Sequence, residues 1–190
     1  MNEQFFTHEQ FSNINFNQNQ LSKADYEGCI FSSCNLSNCD LSNFRFTECE
    51  FIECDLSNCK LVKTAFQDCH FSGCKLIGLN FDLCESFGFS FSAENSVFDH
   101  SILHNVNLSK TRILNSKFKN ADLSACDFSQ SDLTGSDFQE AIFDQTNLEK
   151  ANLKSARNYL IDPENNKITG AQFSLPEVTG LLHKYKLKID

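Results

Sequence analysis

A five-residue period of large apolar side chains constrains this chain more than any other feature. In steps of five, every position from Phe11 to Phe81 is large and apolar, and so is every position from Phe98 to Leu153. The residue two positions before each centre is usually small. A period of five fits neither a helix nor a flat strand. The sequence therefore predicts a chain that turns a corner every five residues, with one large and one small side chain pointing inward on each side.

Four such sides would close a square coil. Stacked coils are expected about 4.8 Å apart, with backbone hydrogen bonds running along the axis. Each coil would bury its apolar side chains only against its neighbours, as in any solenoid. The number of apolar centres predicts about seven coils.

Several segments resemble the pentapeptide-repeat family, whose repeat is a small residue, Asp or Asn, Leu or Phe, a small polar residue, and any residue. They are CNLSNCDLSN (34–43), ADLSACDFSQSDLTGSDFQEAIF (121–143) and TNLEKANL (146–153). The resemblance covers about residues 6–156. It implies an all-β solenoid, a right-handed quadrilateral β-helix, over residues 1–156, followed by a separate C-terminal element over residues 157–190.

The repeat register slips by two residues within the segment 82–97. One interpretation is a two-residue bulge in a single coil, and the other is a loop that contacts a partner. Phe87, Phe89 and Phe91 alternate with other residues, which indicates a short strand.

A short α-helical cap is predicted after the repeats end. Ser174 and Glu177 have the spacing of a capping box, and Pro176 suits the first turn. Leu187 and Ile189 alternate with lysines, which predicts a short terminal strand. Apolar residues at helical spacing form one face of the helix: Val178, Leu181, Leu182 and Tyr185.

This helical face has two interpretations. An open solenoid end exposes apolar side chains and unpaired backbone, so the helix would cover it. The same face could also join two copies of the chain. Gly180 in mid-helix costs roughly 1 kcal/mol relative to alanine, which a close helix contact would explain.

Ten cysteines raise the question of a metal site. Nine occupy the small inward positions, and Cys84 keeps the same phase. Their dominant Cys-x4-Cys spacing differs from the close pairs of structural zinc sites. A free cysteine behaves as a small buried hydrophobe, so we expect core packing, with Cys29, Cys49 and Cys69 stacked and with no metal or cofactor.

The chain is acidic, with 25 acidic and 16 basic residues and a net charge of −9. Nucleic-acid binders neutralise phosphates with Lys and Arg, so direct DNA binding is not expected. Four aspartates, one on each side of a coil, would form a ring, either as turn-forming residues or as an acidic partner-binding surface: Asp122, Asp127, Asp132 and Asp137.

The sequence contains none of the common catalytic motifs, and in the register Cys69 points inward while His70 does not. We therefore expect a non-enzymatic protein. The N-terminus has no basic region followed by an apolar run, and no apolar stretch approaches about 18 residues. These features predict a cytoplasmic protein without a membrane span.

The family resemblance also implies a function. Some pentapeptide-repeat proteins resemble B-form DNA in width and charge and bind DNA gyrase and topoisomerase IV in its place. They protect these enzymes from quinolones or from gyrase-poisoning toxins, as antibiotic-resistance or immunity proteins. Quinolone-resistance members join two solenoids tail to tail through a C-terminal element, which implies a homodimer here. The alternative is a general scaffold for an unknown protein partner, because a fold does not determine function.

Overall fold

Parallel pairing between residues one coil apart organises the chain. The computed structural model describes residues 4–188, and in it Phe5 pairs with Asp25, Asp25 with Arg45, and Arg45 with Ala65. The result is a β-solenoid of about eight turns with parallel sheets, which confirms the predicted fold class; within residues 4–188 it contains two 3₁₀ segments, Phe81–Leu83 and Leu175–Tyr185. The apolar centres predicted seven turns, and residues 157–173 complete the further one without matching the repeat.

Two sides of the solenoid carry the strands, which pair only in parallel. On face one, the four-stranded sheet contains β1 (Phe5–Thr7), β3 (Asp25–Glu27), β5 (Arg45–Thr47) and β7 (Ala65–Gln67). On face two, the six-stranded sheet contains β2 (Gln10–Ser12), β4 (Ile30–Ser32), β6 (Glu50–Ile52), β8 (Cys69–Ser72), β9 (Phe91–Glu94) and β10 (Ile113–Leu114). Further along face two, β11 (Asn152–Leu153) pairs with β12 (Gln172–Phe173).

Single bridges take the place of strands elsewhere. Face one continues in the second half through Asn107, Asp127, Asn147 and Lys167. Face three is the bridge series Asn15, Asn35, Asp55, Lys75, Val97, Lys117, Asp137 and Arg157. Face four contains the bridges Asp40 to Lys60 and the series Asn80, Ile102, Asp122 and Ile142.

The large inward side chains stack in columns along the axis. On face two, the rings of Phe11, Phe31, Phe51 and Phe71 follow one another at centroid separations of 4.7, 4.8 and 5.0 Å. The spacing equals that of neighbouring strands, so each ring covers the next and excludes water from the coil interior. Phe31, Phe51 and Phe71 are fully buried.

The last residue of most repeats turns the corner in a left-handed conformation. Asn38, Asn43 and Asn58 have φ values of 59°, 60° and 56°. This conformation costs an ordinary residue about 1–2 kcal/mol, and asparagine tolerates it better than most. The corner is favourable because it brings the next pair of inward side chains onto the column below.

The two-residue slip is accommodated in one coil. β8 pairs with β9 so that Cys69 lies opposite Phe91 and Phe71 opposite Ala93, two residues out of the usual step. At this level, a phenylalanine occupies the small position and an alanine the large one, and both are buried. β9 begins only at Phe91, so the strand predicted over Phe87 and Phe89 is wrong: Phe87 lies in a turn with Gly88 (φ 71°).

The C-terminal helix, Leu175–Tyr185, is a 3₁₀-helix and not the α-helix that the sequence predicts. A 3₁₀-helix repeats every three residues, which aligns Val178, Leu181 and Lys184 toward the solenoid. Of the predicted terminal strand, Leu187 is not in a strand, and Ile189 lies outside the described residues. Between residues 4 and 188, no helix has the length and apolar character that crossing a membrane requires.

Candidate interaction surface

Outward-pointing Asp and Asn residues hold the turns of the solenoid. Asp122 accepts a hydrogen bond from the Ser124 N–H through Oδ1 (2.9 Å), and Asp127 accepts one from Ser129 (2.8 Å). This is an Asx turn, in which a side chain satisfies the backbone two residues on. The same contact recurs at Asn35, Asp55, Asn107, Asp132, Asp137 and Asn147.

The four aspartates predicted as a partner-binding surface lie on four different faces of one coil. The structure thus places Asp122, Asp127, Asp132 and Asp137 in the ring that their spacing predicts, and it does not bring them together as a patch. Their turn-forming role uses one carboxylate oxygen of each. A role in partner binding stays a prediction.

Asp137 has further partners. It accepts hydrogen bonds from Arg157 Nε (2.9 Å) and Asn158 Nδ2 (2.8 Å). Burial by itself raises the pKa of Asp137, but the Asn158 and Arg157 donors outweigh that effect and hold the pKa below its usual value. Asp137 therefore joins its coil to the next one.

A larger concentration of acids lies on faces one and two of the first four coils, and we call it the acidic surface. It contains seven acids and one arginine: Glu9, Asp25, Glu27, Glu48, Glu50, Glu53, Asp68 and Arg45. Glu27, Glu48 and Glu50 are exposed. Among the described residues, the single ion pair on this surface joins Arg45 to Asp25 (3.5 Å).

The opposite side of the same coils has the reverse balance. Faces three and four carry three acids and four lysines: Asp40, Asp55, Asp82, Lys23, Lys60, Lys63 and Lys75. Stacked ion pairs join Lys60 to Asp40 (3.8 Å) and Lys75 to Asp55 (3.5 Å). The charge of these coils is therefore segregated by side.

The sequence-based prediction does not include the acidic surface, because it treats the charge of the solenoid as one total. The repeat nevertheless contains a signal for it. The position of each acid within the repeat assigns it to one of four faces, and this assignment separates Glu27, Glu48 and Glu50 from Lys60 and Lys75.

The predicted C-terminal face divides into two. Val178 and Leu181 are partly buried, and Leu181 packs against the solenoid interior. Leu182 and Tyr185 are exposed, at 38% and 53%. Leu182 borders an open cleft together with Leu160 and Leu187, which are also exposed. The helix therefore covers the solenoid end with one side and presents leucines on the other.

Ion pairs fasten the end of the helix. Lys184 Nζ lies 2.7 Å from Asp162 and 2.6 Å from Glu164. Tyr185 Oη donates to Glu164 (2.9 Å). These contacts lower the pKa of Asp162 and of Glu164, in each case chiefly through the hydrogen bond from Lys184.

The predicted capping box does not form. Ser174 makes no side-chain cap on its own helix. Instead its Oγ accepts a hydrogen bond from the Ser155 N–H (2.8 Å), and Glu177 Oε2 accepts one from the Asn158 N–H (3.3 Å). Both acceptors satisfy backbone groups of the final coils, so the helix caps the solenoid with the side chains that were expected to cap the helix.

Gly180 has a contact within the chain that explains its place in the helix. A Cβ at this position would lie 2.1 Å from the Tyr159 carbonyl oxygen and 3.0 Å from its ring. The helix therefore lies against Tyr159 at a distance that only glycine permits. The close contact that the sequence indicates is made with the solenoid end.

The cysteines pack in the core, as predicted. All ten are free; eight are buried, while Cys39 and Cys84 are partly exposed. The Cys49 thiol donates to the Tyr26 carbonyl (3.3 Å), and burial raises the pKa of Cys49 to about 12. Cys69 and His70 do not meet, since the thiol contacts the Phe46 carbonyl (3.4 Å) and the imidazole contacts Ser92 (2.9 Å).

The irregular segment carries an exposed apolar residue in its turn. Phe87 is 82% exposed, whereas Phe89 packs edge-on against Phe91 at 5.7 Å. Gln67 Nε2 donates to the Phe87 carbonyl (3.2 Å), and Ser90 Oγ donates to Asp68 (2.8 Å). The segment is thus a short bulge that is anchored to the preceding coil.

Comparisons with known proteins agree with this architecture. The family model for pentapeptide repeats matches residues 10–48, 49–84 and 116–155, with eight copies of the repeat. No curated protein matches the sequence. Two trypsin-treated variants of QnrB1, a plasmid-mediated fluoroquinolone resistance protein, are similar in structure, each with 17% identity and a TM-score of 0.64. The first match covers 98% of this chain and 100% of that one; the second covers 95% and 98%. At this identity the likeness shows the fold alone.

Proposed function

Because the chain belongs to the pentapeptide-repeat family, we propose that it binds a type II topoisomerase, DNA gyrase or topoisomerase IV, in the place of DNA. Binding would protect the enzyme from quinolones or from gyrase-poisoning toxins. The fold shared with a fluoroquinolone resistance protein over nearly the whole chain supports this proposal.

The acidic surface is the observation that carries the proposal. Seven acids and one arginine lie on two adjoining faces of four coils, which leaves six net negative charges. At about 4.8 Å per coil, this is roughly one charge per 3 Å of axis. One strand of B-DNA carries a phosphate about every 3.4 Å. A protein groove that binds a DNA strand through Lys and Arg would meet a similar charge spacing here.

A tail-to-tail homodimer would lengthen this rod. Three exposed residues at the C-terminal end offer an apolar contact: Leu160, Leu182 and Leu187. Val178 and Leu181 hold the helix to its own solenoid. The dimer is tested with Leu182→Glu, which lies outside the solenoid interior. We expect sedimentation velocity to show a dimer for the natural chain and a folded monomer for the variant. A natural chain that is monomeric at micromolar concentration would exclude the dimer.

Gyrase supercoiling in the presence of a fluoroquinolone tests the main proposal. We expect the protein to restore supercoiling at low concentration and to inhibit it at high concentration, because it competes with DNA for the same surface. A variant carrying Glu27→Gln, Glu48→Gln and Glu50→Gln should need at least tenfold more protein for either effect.

A matched variant supplies the control. Asp40→Asn, Asp55→Asn and Asp82→Asn remove the same number of charges from faces three and four, and asparagine retains the turn contacts of Asp40 and Asp55. This variant should act like the natural chain. Equal loss in the two triple variants would show that net charge, and not the acidic surface, matters. No effect of the natural chain on either topoisomerase would end the proposal.

A second candidate function is a scaffold for a different protein partner. Phe87 favours it, because a solitary, almost fully exposed aromatic side chain suits a protein interface and has no counterpart on a DNA-like surface. In that case Phe87→Ala should weaken partner capture, whereas the triple glutamate variant should not.

A further inference from the structure

On face one, backbone hydrogen bonds join each coil to the next and form a ladder along the axis. Within residues 4–188, this ladder is interrupted between the irregular segment 85–90 and the coil that follows it. Four ladder groups of that coil face the segment: the carbonyl of His104, the N–H and the carbonyl of Asn107, and the carbonyl of Ser109. Within residues 4–188, none of the four has a backbone hydrogen bond. Asn107 is correspondingly exposed, whereas Asp127 and Asn147 at the same position of later coils are half-buried.

The next coil provides a direct comparison, since its four equivalent groups are all bonded. The contacts are Asn105 N–H to Ser124 carbonyl (3.0 Å), Asp127 N–H to Val106 carbonyl (2.9 Å), Leu108 N–H to Asp127 carbonyl (2.8 Å) and Lys110 N–H to Ser129 carbonyl (2.8 Å). The groups of the preceding coil are open to solvent instead, as at the edge of a sheet, and an unpaired edge of this kind is a template for pairing with another strand.

The two inserted residues account for the interruption. Glu85 donates its N–H to the Thr64 carbonyl (2.9 Å), and Ser90 donates its N–H to the Phe66 carbonyl (3.0 Å). The segment is therefore held against the preceding coil. The opening lies on its other side, toward Asn107.

The opening has a defined shape and two differently charged ends. A cleft of about 570 Å³ is lined by Phe81, Phe89 and Val106, and it passes Phe89 into a second cleft of about 360 Å³. Asp82 and Glu85 border the first cleft. The second is bordered by Lys110 and Arg112 on one side and by Asp68 on the other.

We propose that this opening, the face-one slot (residues 82–90 and 104–112), binds an extended peptide segment of a partner protein as an added strand. To pair with these four groups, the incoming strand must supply three N–H donors and one carbonyl acceptor. A preceding coil of regular length would supply the same groups. Strand addition of this kind derives affinity from main-chain hydrogen bonds and specificity from side-chain pockets.

The slot also specifies the side chains of the peptide. One apolar side chain would enter the pocket formed by Phe81, Phe89 and Val106. A basic residue would lie at the end with Asp82 and Glu85, and an acidic residue at the end with Lys110 and Arg112. The slot adjoins the acidic surface at Asp68 but does not include Glu27, Glu48 or Glu50, so peptide binding there would be additional to the proposed topoisomerase binding and can be tested separately.

A variant that closes the slot gives the sharpest test. Residues 85–90 are replaced by the four residues 122–125 of a regular coil, Asp-Leu-Ser-Ala, which removes the two extra residues and restores the ladder. Ile142→Ala is the matched control, because this side chain is exposed on face four, outside the slot. Thermal unfolding and circular dichroism establish that both variants are folded.

The probe is a phage-displayed library of random seven-residue peptides, selected on the natural chain. We expect enriched peptides with alternating apolar residues and opposite charges at their ends. They should bind the Ile142→Ala variant within twofold of the natural chain and the slot-closed variant at least tenfold more weakly. In NMR spectra, they should shift the amides of His104 to Lys110. No enrichment, or equal binding to the slot-closed variant, would overturn the proposal.

Hydrogen exchange without any peptide is a second measurement. The Asn107 amide should exchange at least 100-fold faster than the Asp127 amide, because only the latter is bonded within the ladder. Equal protection of the two amides would also overturn the proposal, since it would mean that the slot is closed in solution.

Discussion

The two halves of the solenoid, residues 5–83 and 91–173, follow the same backbone path with different inward side chains. In the first half, the centres of faces one and two are phenylalanines apart from Tyr26, and cysteines fill most small positions. In the second half, leucine is as common as phenylalanine at the centres, and serine and alanine fill most small positions. The centres of both halves are buried except toward the two ends of the stack, where Phe6, Phe11, Ile168 and Phe173 are partly buried. The fold therefore requires one large and one small inward residue per side, and several residue types can fill each position.

The small positions show why this exchange is tolerated. The Cys49 thiol donates to the Tyr26 carbonyl (3.3 Å), and the Ser116 hydroxyl donates to the Leu114 carbonyl (2.9 Å). Each side chain is compact enough for the corner and provides a donor for a nearby carbonyl. The difference is one of strength, because a thiol is a weak donor whereas a buried hydroxyl must be bonded.

The outward residues of the two halves differ more than the inward ones. In the first four coils, the acids collect on faces one and two. Between residues 91 and 155, faces one and two carry four acids and four bases, whereas faces three and four carry five acids and two lysines. The acidic excess thus changes sides across the irregular coil. Because the outward charged residues that form no Asx turn are not needed for the fold, their charge is available for function.

The largest expected effect comes from removing an aromatic ring from either column. Phe51→Ala and Phe118→Ala should each lower the free energy of unfolding by about 3–5 kcal/mol, because both rings are buried and stacked on two others. Urea denaturation measures this, with the exposed Phe87→Ala expected to change stability by less than about 0.5 kcal/mol. A loss below about 1 kcal/mol in one half only would mean that the halves are not held by the same packing.

Removing the hydrogen-bond donor at a small inward position should cost more stability in the second half than in the first. Ser116→Ala should cost about 1–3 kcal/mol, because the Ser116 hydroxyl accepts from the Ser96 N–H (3.2 Å) and donates to the Leu114 carbonyl. Cys49→Ala should cost about 1 kcal/mol, since it removes mainly packing. Chemical denaturation compares the two. A larger loss at Cys49 than at Ser116 would show that the thiol contributes more than a weak donor.

Alkaline pH should act mainly on the first half. Burial raises the pKa of Cys49 to about 12, whereas an unfolded thiol titrates near about 8.5. A raised folded pKa means that the stabilisation is present below about pH 8.5 and is lost as pH rises toward 12. The free energy of unfolding should fall by about 1.4 kcal/mol per pH unit for this thiol in that window. The Cys49→Ala variant should show a slope smaller by this amount, and an unchanged slope would contradict the assignment.

The smallest expected effects test the charge segregation. Glu50→Gln should raise the free energy of unfolding by a few tenths of a kcal/mol at low salt, because it relieves repulsion on the acidic surface. Lys75→Gln should lower it by a similar amount through loss of the pair with the half-buried Asp55. Thermal unfolding at low salt and in about 1 M salt should show both effects and then their disappearance. Effects of the same sign would argue against segregation by side.

Much of the fold follows from the repeat, since the apolar centres and the small positions predict nearly every buried side chain. The ring of Asp122, Asp127, Asp132 and Asp137 follows equally, because a residue's place in the repeat determines its face. The C-terminal segment was less predictable. Ser174 and Glu177 have the spacing of a capping box, yet their acceptors pair with Ser155 and Asn158, because an open solenoid end leaves backbone groups that compete for them.

The order of residues is enough to specify the solenoid, its inward side chains and the place of the two-residue slip, because a period of five is a local constraint that repeats along the chain. Two features depend instead on the folded chain: the contact of Gly180 with Tyr159, and the backbone groups around Asn107 that remain unpaired. They arise from contacts between residues about one coil apart or at the ends of the stack. There the periodic pattern no longer specifies which groups meet.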